Sequence, residues 1–203
     1  MRFKPFVGLA FSVLLIFIAN PVLPQAAPAA KVAKAPMAVG AGVSAYHPDL
    51  GHGPLWGGTL WIDYVLPHMP WYLDGIGLEV EARDLSLFRT ASQSPNLRED
   101  TVEGGMIYSL RYSHRYRPFV KALWGYGNTD YQGHNGIRYH DSRTINMVGG
   151  GLEVLASHNI WVRADYEYQF WPGFFKATKP PGKLTPQGIT VGAVYRFNLF
   201  KSK

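Results

Sequence analysis

The charged residues of this chain recur at every second position within short stretches of sequence. In residues 160–168, Arg163, Asp165 and Glu167 alternate with apolar and aromatic residues such as Tyr166. Side chains of a β-strand alternate between two faces, so these three charges share one face. Such a face supports ion pairing, because a buried charge needs a partner of opposite sign. Six acids and five bases across the chain are predicted to line this charged face: Asp63, Glu79, Glu81, Arg83, Glu103, Arg111, Lys121, Arg163, Asp165, Glu167 and Arg196.

Other kinds of site chemistry have little support in the sequence. The chain has no cysteine, which excludes disulfides, thiol catalysis and cysteine-based zinc sites. Its seven histidines fall in expected loops, turns or their borders, and no HxxH or HExxH pair occurs. No GxSxG nucleophile motif is present. The sequence therefore predicts no metal site and no cofactor.

The elements that carry the charged face are predicted to be eight strands. Alternation with a period of two, bounded by turn residues, recurs along the chain, while Gly and β-branched or aromatic residues interrupt every helix-length window. Strands of about 9–14 residues are long enough to cross a bilayer when tilted. The predicted strands are 38–46, 56–65, 76–84, 99–112, 118–128, 142–155, 160–170 and 186–197.

The N-terminus is predicted to be an export signal, residues 1–29. Arg2 and Lys4 precede an apolar run over residues 6–18, and a small-residue cleavage site follows at residues 27–29. The run is shorter than the ~20 residues of a membrane-spanning helix. Residues 30–37 are expected to be a short lead, 38–197 a barrel and 198–203 a tail. Cleavage removes two of 20 basic residues and none of 14 acidic ones, and the resulting net charge of +4 does not indicate nucleic-acid binding.

The parity pattern alone leaves two orientations open. A soluble sandwich or barrel would bury the apolar row, whereas a membrane barrel would turn it toward lipid. Volume favours the membrane barrel, since the interior of an eight-stranded barrel is too narrow for so many rings. The fold predicted is all-β: an eight-stranded antiparallel transmembrane up-and-down β-barrel after a signal peptide. The outward row is expected to contain Leu60, Ile62, Tyr64, Tyr108, Tyr112, Trp124, Tyr126, Tyr166, Tyr168, Phe170, Tyr195 and Phe197.

Connection lengths predict how the barrel sits in the membrane. Short turns are expected after strands two, four and six and longer loops after the others, and bacterial barrels place short turns in the periplasm. An even number of strands then puts both termini in the periplasm. Aromatic girdles are expected from Tyr64, Tyr112, Tyr126, Phe170 and Trp171. Residues 149–151, three glycines, are expected to form a bulge that switches the parity of strand six.

Three segments resemble a known family. Residues 149–153 (GGGLE), 161–169 (WVRADYEYQ) and 188–197 (GITVGAVYRF) are similar to the outer-membrane barrels that include OmpA-like and OmpX-like proteins and opacity-type surface antigens. The resemblance implies an outer-membrane location, contact with outer-membrane lipid and lipopolysaccharide, and a structural or surface-interaction role. It also implies that Tyr195 and Phe197 in the last strand are the assembly signal for the barrel-assembly machinery, although residues 198–203 follow Phe197.

The remaining functional content is predicted in the last loop. Aromatic and basic residues there are expected either to contact lipopolysaccharide phosphates or an extracellular partner, or to cap the barrel mouth. The alternative of a small gated channel stays open. These loop residues are Trp171, Phe174, Phe175, Lys176, Lys179 and Lys183.

A second alternative is a lipid A-modifying enzyme. Some eight-stranded barrels are lipid A deacylases with a His-x-Ser pair on the outer wall, and His140 and Ser142 have this spacing. Arg143 stands where that family has Asn. His140 and Ser142 also share parity with Thr144 and Asn146, which are expected to face the lumen. The sequence therefore predicts no enzyme, with His140 and Ser142 as the only candidate catalytic pair.

Overall fold

The computed structural model describes residues 37–48, 53–67, 69–87, 97–110, 114–132, 138–174 and 182–197. The predicted export signal, nearly all of the lead and the C-terminal tail lie outside these residues. The described part of the chain contains no helix that is long and apolar enough to span a bilayer.

Eight long antiparallel strands close into one barrel. Each strand pairs with its sequence neighbour from β1 to β7, and β9 pairs with both β7 and β1, which closes the sheet. A short additional strand, β8, pairs only with the end of β7. The predicted fold is therefore confirmed. The elements are β1 (Met37–His47), β2 (Leu55–Val65), β3 (Ile76–Ser86), β4 (Leu97–Ser109), β5 (Tyr116–Gln132), β6 (Arg138–Ser157), β7 (Ile160–Phe174), β8 (Gly182–Leu184) and β9 (Gln187–Phe197), with a 3₁₀ turn at Trp71–Leu73 between β2 and β3.

The two ends of the barrel differ in their connections. Met37 pairs with Phe197, so both ends of the described barrel lie at one rim, together with the turns 66–75, 110–115 and 158–159. We call this end the turn rim. At the opposite end, the loop rim, β1, β3 and β5 end and β2, β4 and β6 begin.

The β5–β6 hairpin extends further toward the loop rim than the sequence predicts. Strand five was expected to end at residue 128 and strand six to begin at 142, whereas pairing continues to Gln132 and Arg138. Tyr131 and Tyr139 stack across the hairpin with ring centroids 5.2 Å apart, and this contact extends the ladder. His140 and Ser142 consequently lie on a paired strand.

The apolar row faces outward and the charged row faces inward, as predicted. Tyr166 is 49 % exposed, whereas its neighbour Asp165 is 5 % exposed. A continuous apolar exterior of this size is unfavourable in water and suits a lipid environment. The exposed belt includes Val39, Leu60, Val80, Val102, Trp124, Val148, Val162, Tyr166, Val191 and Tyr195.

The predicted parity switch in β6 is wrong. The pairing of β6 with β5 and β7 continues without a shift through residues 149–151, and the irregularity lies near Ser157. Directly paired residues of neighbouring strands point to the same side of a sheet. Asn146 pairs with Trp124 and Thr144 pairs with Tyr126, both outward-facing aromatics. Thr144 and Asn146 therefore face outward and not toward the lumen.

Three tryptophans lie inside the barrel, and one of them, Trp171, was expected in the outward aromatic girdle. Trp61, Trp161 and Trp171 are all buried. Inward glycines provide the space: a Cβ on Gly40 would lie 2.2 Å from the Trp61 ring, and one on Gly127 2.3 Å from the Trp171 ring. Because these glycines face the lumen, the barrel holds more ring volume than its strand number alone indicates.

Trp171 is predicted in the aromatic girdle and in the loop contact surface, and both predictions are wrong. Its ring is 1 % exposed and packs with Ile145 and Leu184. The indole Nε1 donates a hydrogen bond to Gln169 Oε1 at 2.8 Å. Residue 171 has the parity of the inward-facing Gln169, and β7 extends past it, so the side chain points inward. The predicted girdle residue Tyr112 lies outside the described residues.

Candidate functional site

Lys121 forms the centre of the ionic lumen. This residue lies on β5, and its Nζ is 3.0 Å from Glu79 Oε1, 2.6 Å from Glu81 Oε2 and 3.2 Å from Asp165 Oδ2. A fourth ion pair joins it to Glu167. Because these carboxylates come from β3 and β7, one ammonium group connects three strands across the interior.

Arg163 makes a second cross-barrel contact from β7. Its Nη2 is 2.9 Å from Glu79 Oε2 on β3, and its Nη1 is 3.5 Å from Asp63 Oδ2 on β2. The guanidinium carbon also lies 4.3 Å from the ring centroid of Phe119 and 4.9 Å from that of Trp61. A desolvated cation over aromatic faces is stabilised by the ring quadrupoles. The two rings therefore fill space that ion pairs alone would leave open.

Arg83 completes the network nearer the loop rim. It forms ion pairs with Glu81 on its own strand and with Glu167 across the lumen. Its Nε donates to Thr59 Oγ1 at 3.3 Å, and its guanidinium carbon lies 4.4 Å from the ring centroid of Tyr46. The Tyr46 hydroxyl donates to Glu167 in turn. Glu167 thus joins the contacts of Arg83 to those of Lys121.

The structure brings ten of the eleven predicted lumen residues into the interior, and Arg111 lies outside the described residues. It also adds Glu99 and Glu153, which the sequence analysis missed. The alternation could have identified Glu99, because it lies four residues from Glu103 and therefore on the same face of β4. In the described part of the barrel, eight buried acids face four buried bases, and three of these cations each contact two or more carboxylates. The buried acids are Asp63, Glu79, Glu81, Glu99, Glu103, Glu153, Asp165 and Glu167, and the buried bases are Arg83, Lys121, Arg163 and Arg196.

The candidate pair His140 and Ser142 lies on the outer wall of β6, at the loop rim. Ser142 Oγ is 3.1 Å from His140 Nε2, and His140 Nδ1 is 2.5 Å from Asp130 Oδ1 on β5. The His140 and Asp130 side chains are 63 % and 56 % exposed. The expectation that this pair faces the lumen is wrong, because the β5–β6 register turns it outward. Asp130 was missed, since its proximity to His140 depends on that register.

The other predicted site residues are only partly described. Phe175, Lys176 and Lys179 lie outside the described residues. Phe174 is the last residue of β7, and Lys183 is the central residue of β8. In the last strand, the Tyr195 and Phe197 rings stack with centroids 6.1 Å apart, and Tyr195 is exposed on the lipid-facing side. Among the residues that the structure describes, no cluster of three His, Asp or Glu side chains is arranged to hold a metal ion.

An eight-stranded closed barrel with an apolar exterior and a charged interior defines a transmembrane β-barrel. The family model of the outer membrane protein beta-barrel domain matches residues 12–197, and the chain belongs to this family. The predicted resemblance and the outer-membrane location are thereby confirmed. No curated protein matches the sequence significantly.

Solved structures support the same fold. Neisserial surface protein A aligns with a TM-score of 0.61 at 13 % identity, covering 79 % of this chain and 97 % of that one. Ail, the attachment invasion locus protein of Yersinia pestis, aligns with a TM-score of 0.55 at 17 % identity over the same shares. Ail has also been solved in complex with the heparin analogue sucrose octasulfate, and that chain aligns with a TM-score of 0.53 at 18 % identity, again over the same shares.

Proposed function

We propose that this protein is a structural and surface-interaction barrel of the outer membrane whose lumen does not conduct ions. The observation that carries the proposal is the set of four carboxylates around Lys121, which come from β3 and β7. An eight-stranded barrel is just wide enough for its interior side chains, so a lumen crossed by such contacts leaves no continuous water path. The functional surfaces are then the outer wall and the loop rim.

In this proposal both termini are periplasmic and the loop rim faces the outside. The turn rim carries both ends of the described barrel and the shortest connection between the long strands, residues 158–159, and bacterial barrels place short turns in the periplasm. Lys176, Lys179 and Lys183 then lie on the outside, where they contact phosphate or sulfate groups of lipopolysaccharide or of an extracellular partner. Tyr195 and Phe197 serve as the signal read by the barrel-assembly machinery.

A planar-bilayer recording tests the sealed lumen. The refolded full chain is expected to give a silent trace under conditions in which a wide porin shows steps. Reproducible conductance from protein with the heat-modifiable migration of a folded barrel would support the gated channel and contradict the sealed lumen.

A charge-reversal experiment tests the loop-rim surface. Titration with sucrose octasulfate, the polyanion of the Ail complex, is expected to show binding that Lys179→Glu/Lys183→Glu weakens at least tenfold. The matched control is Lys201→Glu/Lys203→Glu, which makes the same change of charge in the tail and should leave binding unchanged. Equal weakening by both variants would mean that net charge, and not the loop, determines binding.

A further inference from the structure

Three side chains on the outer wall are arranged as a carboxylate, an imidazole and a hydroxyl in series. Asp130 on β5 pairs directly with His140 on β6, and Ser142 lies two residues further along the same face. His140 Nδ1 is 2.5 Å from Asp130 Oδ1, and in the neutral tautomer that donates Nδ1–H to this carboxylate, Nε2 is a proton acceptor. Ser142 Oγ is 3.1 Å from this Nε2. This is the order of groups that activates a serine nucleophile.

Asn128 supplies a fourth group to the same cluster. It pairs directly with Ser142, and its Oδ1 accepts a hydrogen bond from the Ser142 hydroxyl at 2.6 Å. The serine hydroxyl has one proton, so its transfer to His140 requires the Asn128 amide to turn its nitrogen toward Oγ. The oxygen and nitrogen of an Asn amide exchange by a 180° rotation of the group. After that rotation, the Asn128 N–H lies beside the nucleophile and is placed to stabilise the oxyanion that forms when Oγ attacks a carbonyl.

The surface next to the cluster suits an acyl chain. Tyr126 and Trp124 are exposed on the lipid-facing side of β5. They lie two and four residues from Asn128, which is about 7 and 14 Å closer to the turn rim. Gly104 pairs with Trp124, and a Cβ at Gly104 would meet no atom nearer than 3.6 Å. The outer surface next to the indole ring therefore has open space at Gly104. A chain lying along this strip places its ester group at the height of Ser142.

We propose that Ser142, His140 and Asp130 form an acyl-ester hydrolase site on the outer wall, acting on ester-linked chains of an outer-leaflet lipid. Ser142 Oγ attacks the ester carbonyl and its proton passes to His140 Nε2. The carbon–oxygen bond to the alcohol breaks, and His140 returns the proton to the leaving alkoxide. Water then hydrolyses the acyl-serine in the same way and releases a fatty acid. Asp130 is a positioning residue. Access to the outer leaflet rests on the proposed orientation, whereas hydrolysis of a micellar ester does not.

A covalent probe tests the nucleophile without any knowledge of the natural substrate. The refolded full chain, in detergent, is treated with a fluorophosphonate, and the labelled peptide is identified by mass spectrometry. Labelling is expected at Ser142, absent in Ser142→Ala and unchanged in Thr144→Val, which alters an outward residue of the same strand. Heat-modifiable migration establishes that each variant is folded. A folded wild-type chain that takes no label, or takes it elsewhere, overturns the proposal.

Kinetics with p-nitrophenyl palmitate in micelles test the roles of the other residues. Ser142→Ala and His140→Ala are expected to lower kcat at least a thousandfold, as loss of a nucleophile or its base does. Asp130→Asn is expected to lower kcat at least a hundredfold with KM unchanged, and Asp130→Glu to restore part of the rate. A change in KM alone, or no hydrolysis by folded wild-type protein, contradicts the proposal. The natural substrate could be lipid A or a phospholipid. Vesicles containing lipid A and vesicles of phosphatidylethanolamine distinguish these two, because only the vesicles that contain the substrate release fatty acid.

Discussion

Replacing Lys121 with Met removes the cation that four buried carboxylates share, with little change in side-chain volume. Arg83 and Arg163 retain contacts with the same carboxylates, so the local balance falls from three cations for four carboxylates to two. Removing one partner of a buried ion pair costs about 3–5 kcal/mol, since the remaining charges stay desolvated. We expect Lys121→Met to lower the free energy of unfolding by an amount in this range.

Urea unfolding in lipid vesicles, followed by heat-modifiable electrophoresis, measures this loss. The control is Val120→Met, an adjacent outward-facing position, which should change the free energy of unfolding by less than about 0.5 kcal/mol. Adding Glu167→Gln to Lys121→Met removes one of the uncompensated charges and should recover about 1 kcal/mol or more. A folded Lys121→Met barrel within about 1 kcal/mol of the wild type, with no recovery in the double variant, would refute a stabilising role for the network.

Two further predictions concern packing and orientation. Gly40→Val should lower the free energy of unfolding by about 1–3 kcal/mol through overpacking against Trp61. The control is Gly58→Val, where a Cβ meets no atom within 4 Å, and it should be nearly neutral. Equal effects of the two variants in urea unfolding would contradict the close approach of Gly40 to Trp61. Because the chain has no native cysteine, spin labels at Val148→Cys and Arg98→Cys should report accessibility to oxygen and to a water-soluble nickel complex, respectively, and the reverse pattern would contradict the orientation in the membrane.

The alternation of residue types predicted the strands and the single row that the charges share, and the volume of the aromatic rings then favoured a membrane barrel with that row inside. The reason is that a strand has only two faces, so the row containing Arg163, Asp165 and Glu167 must point to one side together. The export signal and the lead stay predictions, because the structure does not describe those residues. Parity also assigns Glu99 to the inward row, because it lies four residues before Glu103.

Only the tertiary structure decided which side chains meet across strands. The parity of β6 depended on its register with β5, which pairs Asn146 with Trp124 and turns His140 outward. The same register brings Asp130 to His140, a contact between residues of two strands that no local pattern specifies. Trp171 lies inside because β7 extends beyond its predicted end and Gly127 leaves space for its ring. Local sequence fixes which residues share a face of one strand, whereas contacts between strands depend on register, and register is set by the packing of the whole barrel.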